Sequence, residues 1–419
     1  MYGLADCNNF FVSCERVFNP GLNGRPVIIL SNNDGCVISR SNEAKALGIK
    51  MGQPYYQLKD FISLHNVAVF SSNYVLYSDM SQRVQKTLQS LVPATEVYSI
   101  DESFLDLRGI PEEQLDELGH RISYVVQRNT GIPISVGISP TKTLAKIASK
   151  LCKQYPKLHG SCYMHRPQDI AKVLKKFPIE DVWGIGRRFS VMLKSRNILT
   201  AQDFANLSVD SVQSLMHIGG VKTWRELHGE PCIEFEELRK DKQQITVSRS
   251  FSKELTEVAD VEQQVALFAS MAAEKLRKQE SLCNAVIVFV CTNRHRQDKP
   301  QQFANRLIQL PTATDSSLEL VDTVTKVVRE LVQSPYSYKK AGVILSDIQP
   351  NNSLQINLFD DVDHQKHTRL MSTLDEINRK QGAHSVIVAS AGFDGVKMNR
   401  QHLSPNYTSN WDEIIKIKL

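Results

Sequence analysis

Paired cysteines, long apolar runs and a dominant charge sign are all missing from this sequence. The eight cysteines (7, 14, 36, 152, 162, 232, 283 and 291) are scattered and include no CxxC pair. That spacing argues against a zinc module or a disulfide scaffold and predicts reduced thiols in a cytoplasmic compartment. The longest apolar run, AVIVFVC near residue 288, is far too short to cross a bilayer, so no membrane role is expected. The first residues lack a basic region and carry Asp6 inside their apolar stretch, which makes a secretory leader unexpected. Charge is nearly balanced, with 50 Lys and Arg against 45 Asp and Glu, a net +5. So mild an excess suits a polyanionic partner without requiring one. What is present is ordinary: 42% hydrophobic and 23% charged residues in 419, enough for two to four soluble domains.

The chemistry concentrates in Glu96–Leu107, EVYSIDESFLDL. Two β-prone runs flank an acidic pair, Asp101 and Glu102, which reads as a β-hairpin with carboxylates at its tip. Taken alone, such a tip is simply solvated. Asp6 changes the reading, because it interrupts YGLADCNNFF, a run that otherwise wants to be a buried strand. A carboxylate on a buried strand is costly unless it is paired, hydrogen-bonded or bound to a cation. Three carboxylates on neighbouring strands would offer hard oxygen donors suited to Mg²⁺ and to phosphoryl or nucleotidyl transfer.

Between these stretches lies a small α/β insertion, residues 20–72, with a strand at Arg25–Leu30, a turn-rich hairpin at Asn33–Gly35 and a helix over 40–47. Long helices are predicted over 73–93 and 112–129, followed by a strand at Ile134–Ile138. Ser139 and Pro140 read as the N-cap and first turn of TKTLAKIASKL. The order outside the insertion is that of a ferredoxin-like split βαβ sheet. Residues 164–235 hold short helices and two glycine turns, Gly184-x-Gly186 followed by Arg187 and Arg188, and His217–Val221 (HIGGV) with Gly219 and Gly220. Paired turns between helices can aim backbone N–H groups at a DNA phosphate, although a tight C-cap explains a single one equally well. After a charged linker at 236–242, residues 243–349 repeat a split βαβ pattern carrying Arg249, Arg294 and Arg296 along a strand and its loop. Those cations read either as a duplex-backbone cradle or as solvated edge charge. The segment from 350 onward opens with QPNNS and LQINLFDD, whose Leu358 and Phe359 read as a docking peptide. A helix, a strand at Ser385–Ser390 (SVIVAS) and the closing SPNYTS carry no recognisable chemistry.

Four motifs, DCNNFF…SCE, SNNDGCVISRSNEAKALGIKMG, YSIDESFLDL and VGISPTKTLAKIAS, occur in an order that resembles the catalytic core of Y-family translesion DNA polymerases. The similarity is greatest to the UmuC-type branch, the catalytic subunit of bacterial DNA polymerase V, and covers essentially the whole chain. It implies an α+β, multidomain right hand: a ferredoxin-like palm (1–19 and 73–163), small fingers (20–72), a helix–hairpin–helix thumb (164–235), a βαββαβ little finger (243–349) and a tail (350–419). It further implies two Mg²⁺ ions on Asp6, Asp101, Glu102 and the Cys7 carbonyl, with Phe11 as a steric gate against the ribose 2′-hydroxyl. Phe10, Ser39, Asn42, Lys45 and Lys146 match nucleotide-binding positions, although relatives often carry Thr, Tyr and Arg where this chain has Ser39, Asn42 and Lys45. Lys142 lies one turn before Lys146 and shares its predicted face. Gln355, Leu358 and Phe359 resemble a sliding-clamp-binding peptide with Ile at its second place. The resemblance implies primer-template DNA, deoxynucleoside triphosphates, a UmuD′-like accessory dimer and a RecA filament as partners. The implied activity is error-prone synthesis past lesions in the SOS response. A DinB-type clamp-dependent polymerase, a nucleotide cyclase and a non-catalytic DNA-binding scaffold are the competing expectations. With every segment assigned, no stretch is left for a proofreading exonuclease, so low fidelity is expected.

Overall fold

The computed structural model describes residues 1–237, 240–353, 362–382, 384–392 and 398–415. The chain forms two compact units, Met1–Arg239 with Arg400–Leu419, and Lys240–Asn399.

The first unit opens with β1 (Tyr2–Cys7) and α1 (Phe10–Phe18), then β2 (Val27–Leu30), β3 (Val37–Arg40), α2 (Asn42–Ala46), α3 (Lys59–Leu64) and β4 (Ala68–Ser71). Next come α4 (Tyr74–Gln89), β5 (Ala94–Val97), β6 (Glu102–Asp106), α5 (Leu115–Thr130), β7 (Ile134–Ser139), α6 (Lys142–Gln154) and β8 (Ser161–Tyr163). Four helices follow: α7 (Pro167–Leu174), α8 (Arg187–Lys194), α9 (Ala201–Ala205) and α10 (Val209–Leu227). The large sheet runs β5-β6-β1-β7-β8, and β3-β2-β4 form a separate small sheet, so 20–72 is indeed an insertion.

Strand period decides what each face of the large sheet does. In β1, Ala5 and Cys7 join the apolar cluster built with α1, α4 and α5. Leu4 points to the other face and meets Phe104 and Ala145 of α6. Asp6 has the parity of Leu4 and so faces α6. α6 starts later than expected: Ser139 is still paired in β7, opposite Tyr2, and Thr141 is the N-cap, its hydroxyl accepting from Leu144 N. The buried carboxylate of Glu226 accepts from Thr143 N at 2.9 Å, so an anion from α10 sits at the N-terminus of α6.

The two glycine turns differ. Gly184 has φ +91°, and a Cβ there would come within 2.4 Å of Thr223 Oγ1. The second break lies at His217, with φ 55° and ψ −160°, and Gly219 and Gly220 fall within the helix that resumes after it. Gly220 answers a packing need, since its Cβ would stand 2.3 Å from Met216 Cβ.

The second unit is βαββαβ: β9 (Ile245–Leu255), α11 (Val258–Lys278), β10 (Ser281–Thr292), β11 (Phe303–Thr314), α12 (Ser317–Leu331) and β12 (Tyr338–Pro350). Its sheet order is β11-β10-β12-β9, and a single apolar core joins the sheet to α11 and α12. α13 (His364–Gln381) docks through buried Met371 and the two-pronged Arg277–Asp375 pair at 2.6 and 2.7 Å. The strand expected at Ser385–Ser390 does not form: the segment is bends and a 3₁₀ turn at Ala389–Ala391. Its apolar residues Ile387 and Val388 pack on the core without a ladder partner.

Packing of α6 onto β7 allows no side chain at Gly137, where a Cβ would lie 2.2 Å from both Ala145 O and Ser149 N. Both neighbours are helix backbone and cannot give way. Gly137→Ala is expected to destabilise the protein by about 3 kcal/mol, measurable as a lowered urea midpoint. An unchanged midpoint would contradict this packing.

Candidate active site

Backbone register brings the acids together. In the antiparallel pair of β1 and β6, Asp6 stands directly opposite Glu102, and Cys7 N donates to Asp101 O at 2.9 Å. Opposed residues of an antiparallel pair project to the same face. Asp6 and Glu102 therefore share the α6 side, beyond the buried Leu4–Phe104 pair. The hairpin tip is held by Ser99, whose hydroxyl donates to Asp101 Oδ1 at 2.6 Å and accepts from Asp101 N and Glu102 N.

Each carboxylate has a partner. Lys153 Nζ lies 2.6 Å from Asp6, and Lys146 Nζ lies 3.0 and 2.9 Å from the two oxygens of Glu102. Among the described residues no three acidic, His or Cys side chains converge as a ready metal cage. The lysine ammonium groups supply the counter-charge instead. The donor set nonetheless fits a divalent cation: hard oxygens only, held on a rigid sheet. Burial, together with the charges of Glu102 and Asp101, outweighs Lys153 and pushes the Asp6 carboxyl up to about 6. Such a carboxylate gains more from a cation than a solvated one does.

Cations share a cleft with these acids. A cleft of about 430 Å³ is lined by Asp6, Cys7, Asp101 and Glu102 together with Ser39, Arg40, Lys45 and Lys153, the last in direct contact with Asp6. Phe10 and Phe11 also line it. Lys45 Nζ donates to Asn9 Oδ1 at 2.6 Å and Asn42 Oδ1 at 3.1 Å. Its pKa is lowered by desolvation and by the charges of Arg40 and Lys153. Three cations that repel one another across a cleft are arranged for an anion carrying several charges.

Phe10 is buried, whereas Phe11 is half-buried and stacks on Tyr77 at 4.6 Å with Tyr74 at its edge. Asn9 makes the turn into α1 in the left-handed region, φ 47°, which presents both rings at the cleft.

Several residues singled out in the sequence lie elsewhere. Asn42 does not line the cleft and reaches it through Lys45 and Asn9, both of which donate to its Oδ1 at 3.1 Å. Lys146 does not line it: beyond Glu102, it sits over the rings of Tyr98, Phe104 and Trp183. Lys142 is 1% exposed, paired to Glu96 and bonded to Glu234 O at 2.7 Å, so its role is structural. Lys153, two helical turns beyond Lys146, is the lysine that reaches Asp6. Spacing by seven on α6 was the available signal, and only the register of α6 on the sheet distinguishes the two. Arg40 was also missed.

Gly186 caps α8 beside the exposed Arg187 and Arg188. In the second unit Arg249 shares the parity of buried Ile245 and Val247, so it lies on the helix-covered side, near enough to Lys275 to lower that pKa. Arg294 and Arg296 are exposed in the β10–β11 loop, Arg296 paired with Asp298 at 2.7 Å. Gln355, Leu358 and Phe359 lie outside the described residues.

The fold belongs to a known class. A Y-family DNA polymerase chimera of Dbh and Dpo4 superposes with a TM-score of 0.69 at 19% identity, covering 84% of this chain and 99% of its own. An insertion ternary complex of Dbh DNA polymerase gives 0.54 with the same coverage and identity. The chain belongs to the impB/mucB/samB family, whose main region matches residues 5–150 and whose C-terminal domain matches 242–358. Residues 368–417 match a domain of unknown function, DUF4113. UmuC of Salmonella typhimurium is 39% identical over the full length of both chains. ImpB of Salmonella typhimurium is 42% identical over 99% of both, and MucB of Escherichia coli 37% over 99% of both.

Because its pKa is raised in the folded chain, Asp6 costs stability as pH rises from about 4 through about 6. Asp6→Asn is therefore expected to raise the melting temperature of the metal-free protein by a few degrees at pH 7.5 and to leave it unchanged near pH 3.5. A lower melting temperature at pH 7.5 would contradict the assigned environment.

Proposed function

We propose that this chain is the catalytic subunit of a polymerase V-like complex, performing template-directed, error-prone DNA synthesis past lesions in the SOS response. The observation that carries the reading is one cleft lined jointly by Asp6, Asp101 and Glu102, by Arg40, Lys45 and Lys153, and by Phe11. Acids and cations sharing one cleft suit a nucleoside triphosphate with its metal ions. The cations would take the phosphates, and the aromatic ring would stand where a ribose 2′-hydroxyl has to go.

Asp6, Asp101 and Glu102 would hold divalent ions, two by analogy with the family, with the Cys7 carbonyl as a further oxygen donor. A bound divalent ion supplies Lewis acidity to the primer hydroxyl and the phosphates. The residues do the rest. Lys153 would move from Asp6 to a phosphate as the carboxylate takes its ion, so one ammonium serves both states. Ser39, Arg40 and Lys45 fix the triphosphate, and Phe10 and Phe11 orient the sugar. Lys146 holds Glu102 in place.

The large sheet is read as the palm, the three-stranded insertion as small fingers, α7–α10 as a thumb and the second unit as a little finger. The turns at Gly184–Arg188 and His217–Gly220, with Arg294 and Arg296, are proposed DNA-backbone contacts. Fingers without a long closing helix check base-pair geometry weakly, consistent with low fidelity. Gln355–Phe359 is proposed to engage a sliding clamp, and a UmuD′-like dimer and a RecA filament are the proposed accessory partners. No long apolar helix is present among the described residues, and a cytoplasmic location is proposed.

Primer extension tests the reading. The complex with its accessory partners should insert opposite an abasic site, and Asp101→Asn should lower insertion by about 10³-fold or more, roughly 4 kcal/mol of transition-state stabilisation. Duplex affinity measured by anisotropy should stay within about twofold, since the proposed DNA-backbone contacts lie elsewhere. Undiminished extension by Asp101→Asn would eliminate the assignment.

A further inference from the structure

The closing segment of the chain is tied to the fingers and the palm by a run of polar bonds. Ser71 N donates to His402 O at 2.9 Å, and His402 N donates to Ser71 Oγ at 3.0 Å. The same hydroxyl donates to Asp34 Oδ1 at 2.6 Å, while Asp34 Oδ2 accepts from Gln401 N at 2.9 Å. The Tyr55 hydroxyl and His402 Nε2 are 3.1 Å apart. All of these partners lie in the insertion that carries Ser39, Arg40 and Lys45.

Two residues further on, the segment crosses to the palm. Asn73 caps α4 through Oδ1 and gives its Nδ2 to Ser404 O, Ser404 Oγ and Pro405 O at 3.1, 3.2 and 3.3 Å. Tyr407 stacks on Phe18 at 4.8 Å. Between these anchors, the Ser404 hydroxyl donates to Glu15 Oε1 at 3.0 Å, and the Tyr77 hydroxyl donates to the same oxygen at 2.7 Å. Tyr77 is the ring on which Phe11 stacks, 17° from parallel.

Seating a tail by apolar contact alone would need none of this. A buried carboxylate is expensive, and here burial pushes Glu15 up to about 7 against the pull of the two hydroxyl donors. Glu15, Asn73, Tyr77 and Ser404 are all at most 5% exposed, so bulk water cannot replace a lost bond. Phe11 itself is only half-buried, in the first turn of α1, and of its ring neighbours Phe10, Tyr74 and Tyr77 it is Tyr77 that stacks on it face to face.

We propose that Gln401–Tyr407 is a strap that completes the sugar-selection apparatus: through Ser404, Glu15 and Tyr77 it fixes the aromatic platform beneath Phe11 and so sets how firmly a ribonucleotide is refused. This assigns a role to the end of a domain whose function is otherwise unknown, and it rests on the reading of Phe11 as the gate. Ser404, Glu15 and Tyr77 are positioning residues, and none of them lines the cleft.

Single-nucleotide insertion opposite template dT, with dATP and ATP compared by kcat/KM, tests it in the full chain with its accessory partners. Ser404→Ala and Tyr77→Phe are expected to lower the deoxy/ribo ratio about fivefold, the scale of one lost aromatic restraint, through a higher value for ATP. Their dATP values should stay within about twofold. Glu15→Gln keeps an acceptor for both hydroxyls and should hold the wild-type ratio, whereas Glu15→Leu should lose it. Should Glu15→Leu not fold, as judged by thermal melting, Ser404→Ala decides. Phe11→Ala is the control, expected to lower the ratio by about 10²-fold or more, roughly 3 kcal/mol. An unchanged ratio in Phe11→Ala would defeat the gate itself. A collapsed ratio in Phe11→Ala with unchanged ratios in Ser404→Ala and Tyr77→Phe would overturn the strap alone.

Discussion

The pairing of β1 with β6 is the constraint on which the rest depends. Asp6 opposite Glu102 is a matter of register, and a slip of one residue would send one of them to the α4–α5 core. The register is secured on both sides of the sheet. Leu4 and Phe104 form the next pair on the acidic face, and Ala5, Cys7 and Leu105 are locked into the opposite core. Apolar burial thus places two like charges beside each other, an arrangement that no local electrostatic preference would select.

That arrangement needs a counter-charge, and α6 delivers it. Lys146 and Lys153 are two turns apart on a helix pressed so closely onto β7 that Gly137 has no space for a side chain. The same rigidity sets the two lysines apart. Lys146 is enclosed by three aromatic rings and stays with Glu102. Lys153 pairs with Asp6 and lines the open cleft with Arg40 and Lys45.

Much of this was legible in the residues. Period-two alternation and turn residues located the acidic hairpin, the insertion and both split βαβ units, and Asp6 stood out because a buried strand has no use for a lone carboxylate. The errors share a cause, which is that local signals do not specify how elements seat on one another. Ser139-Pro140 looks like a helix start, but Ser139 is still needed opposite Tyr2 in the sheet, and Thr141 takes the cap. The second turn of the helical module was placed at His217–Val221 for its glycines, whereas the break falls at His217 itself, with φ 55°, and Gly220 is small because Met216 is close. Lys146 and Lys153 are equivalent by spacing until α6 is set on the sheet. Arg249 alternates into the helix-covered side of its sheet, a parity readable from Ile245 and Val247 once the strand's inner face is known. The bonds of Ser404 and His402 were beyond reach, because nothing local links them to Glu15 or Ser71, more than three hundred residues away.

Carboxylates, cations and Phe11 form one site only if the acids take up metal together with a nucleotide. Titration of the protein with Mn²⁺ in the presence of dATP, followed by the loss of the free-ion EPR signal, measures this most directly. The account predicts saturable uptake by the wild-type chain that is lost when Asp6, Asp101 and Glu102 are replaced together by Asn, Asn and Gln. Equal uptake by the two proteins would contradict it.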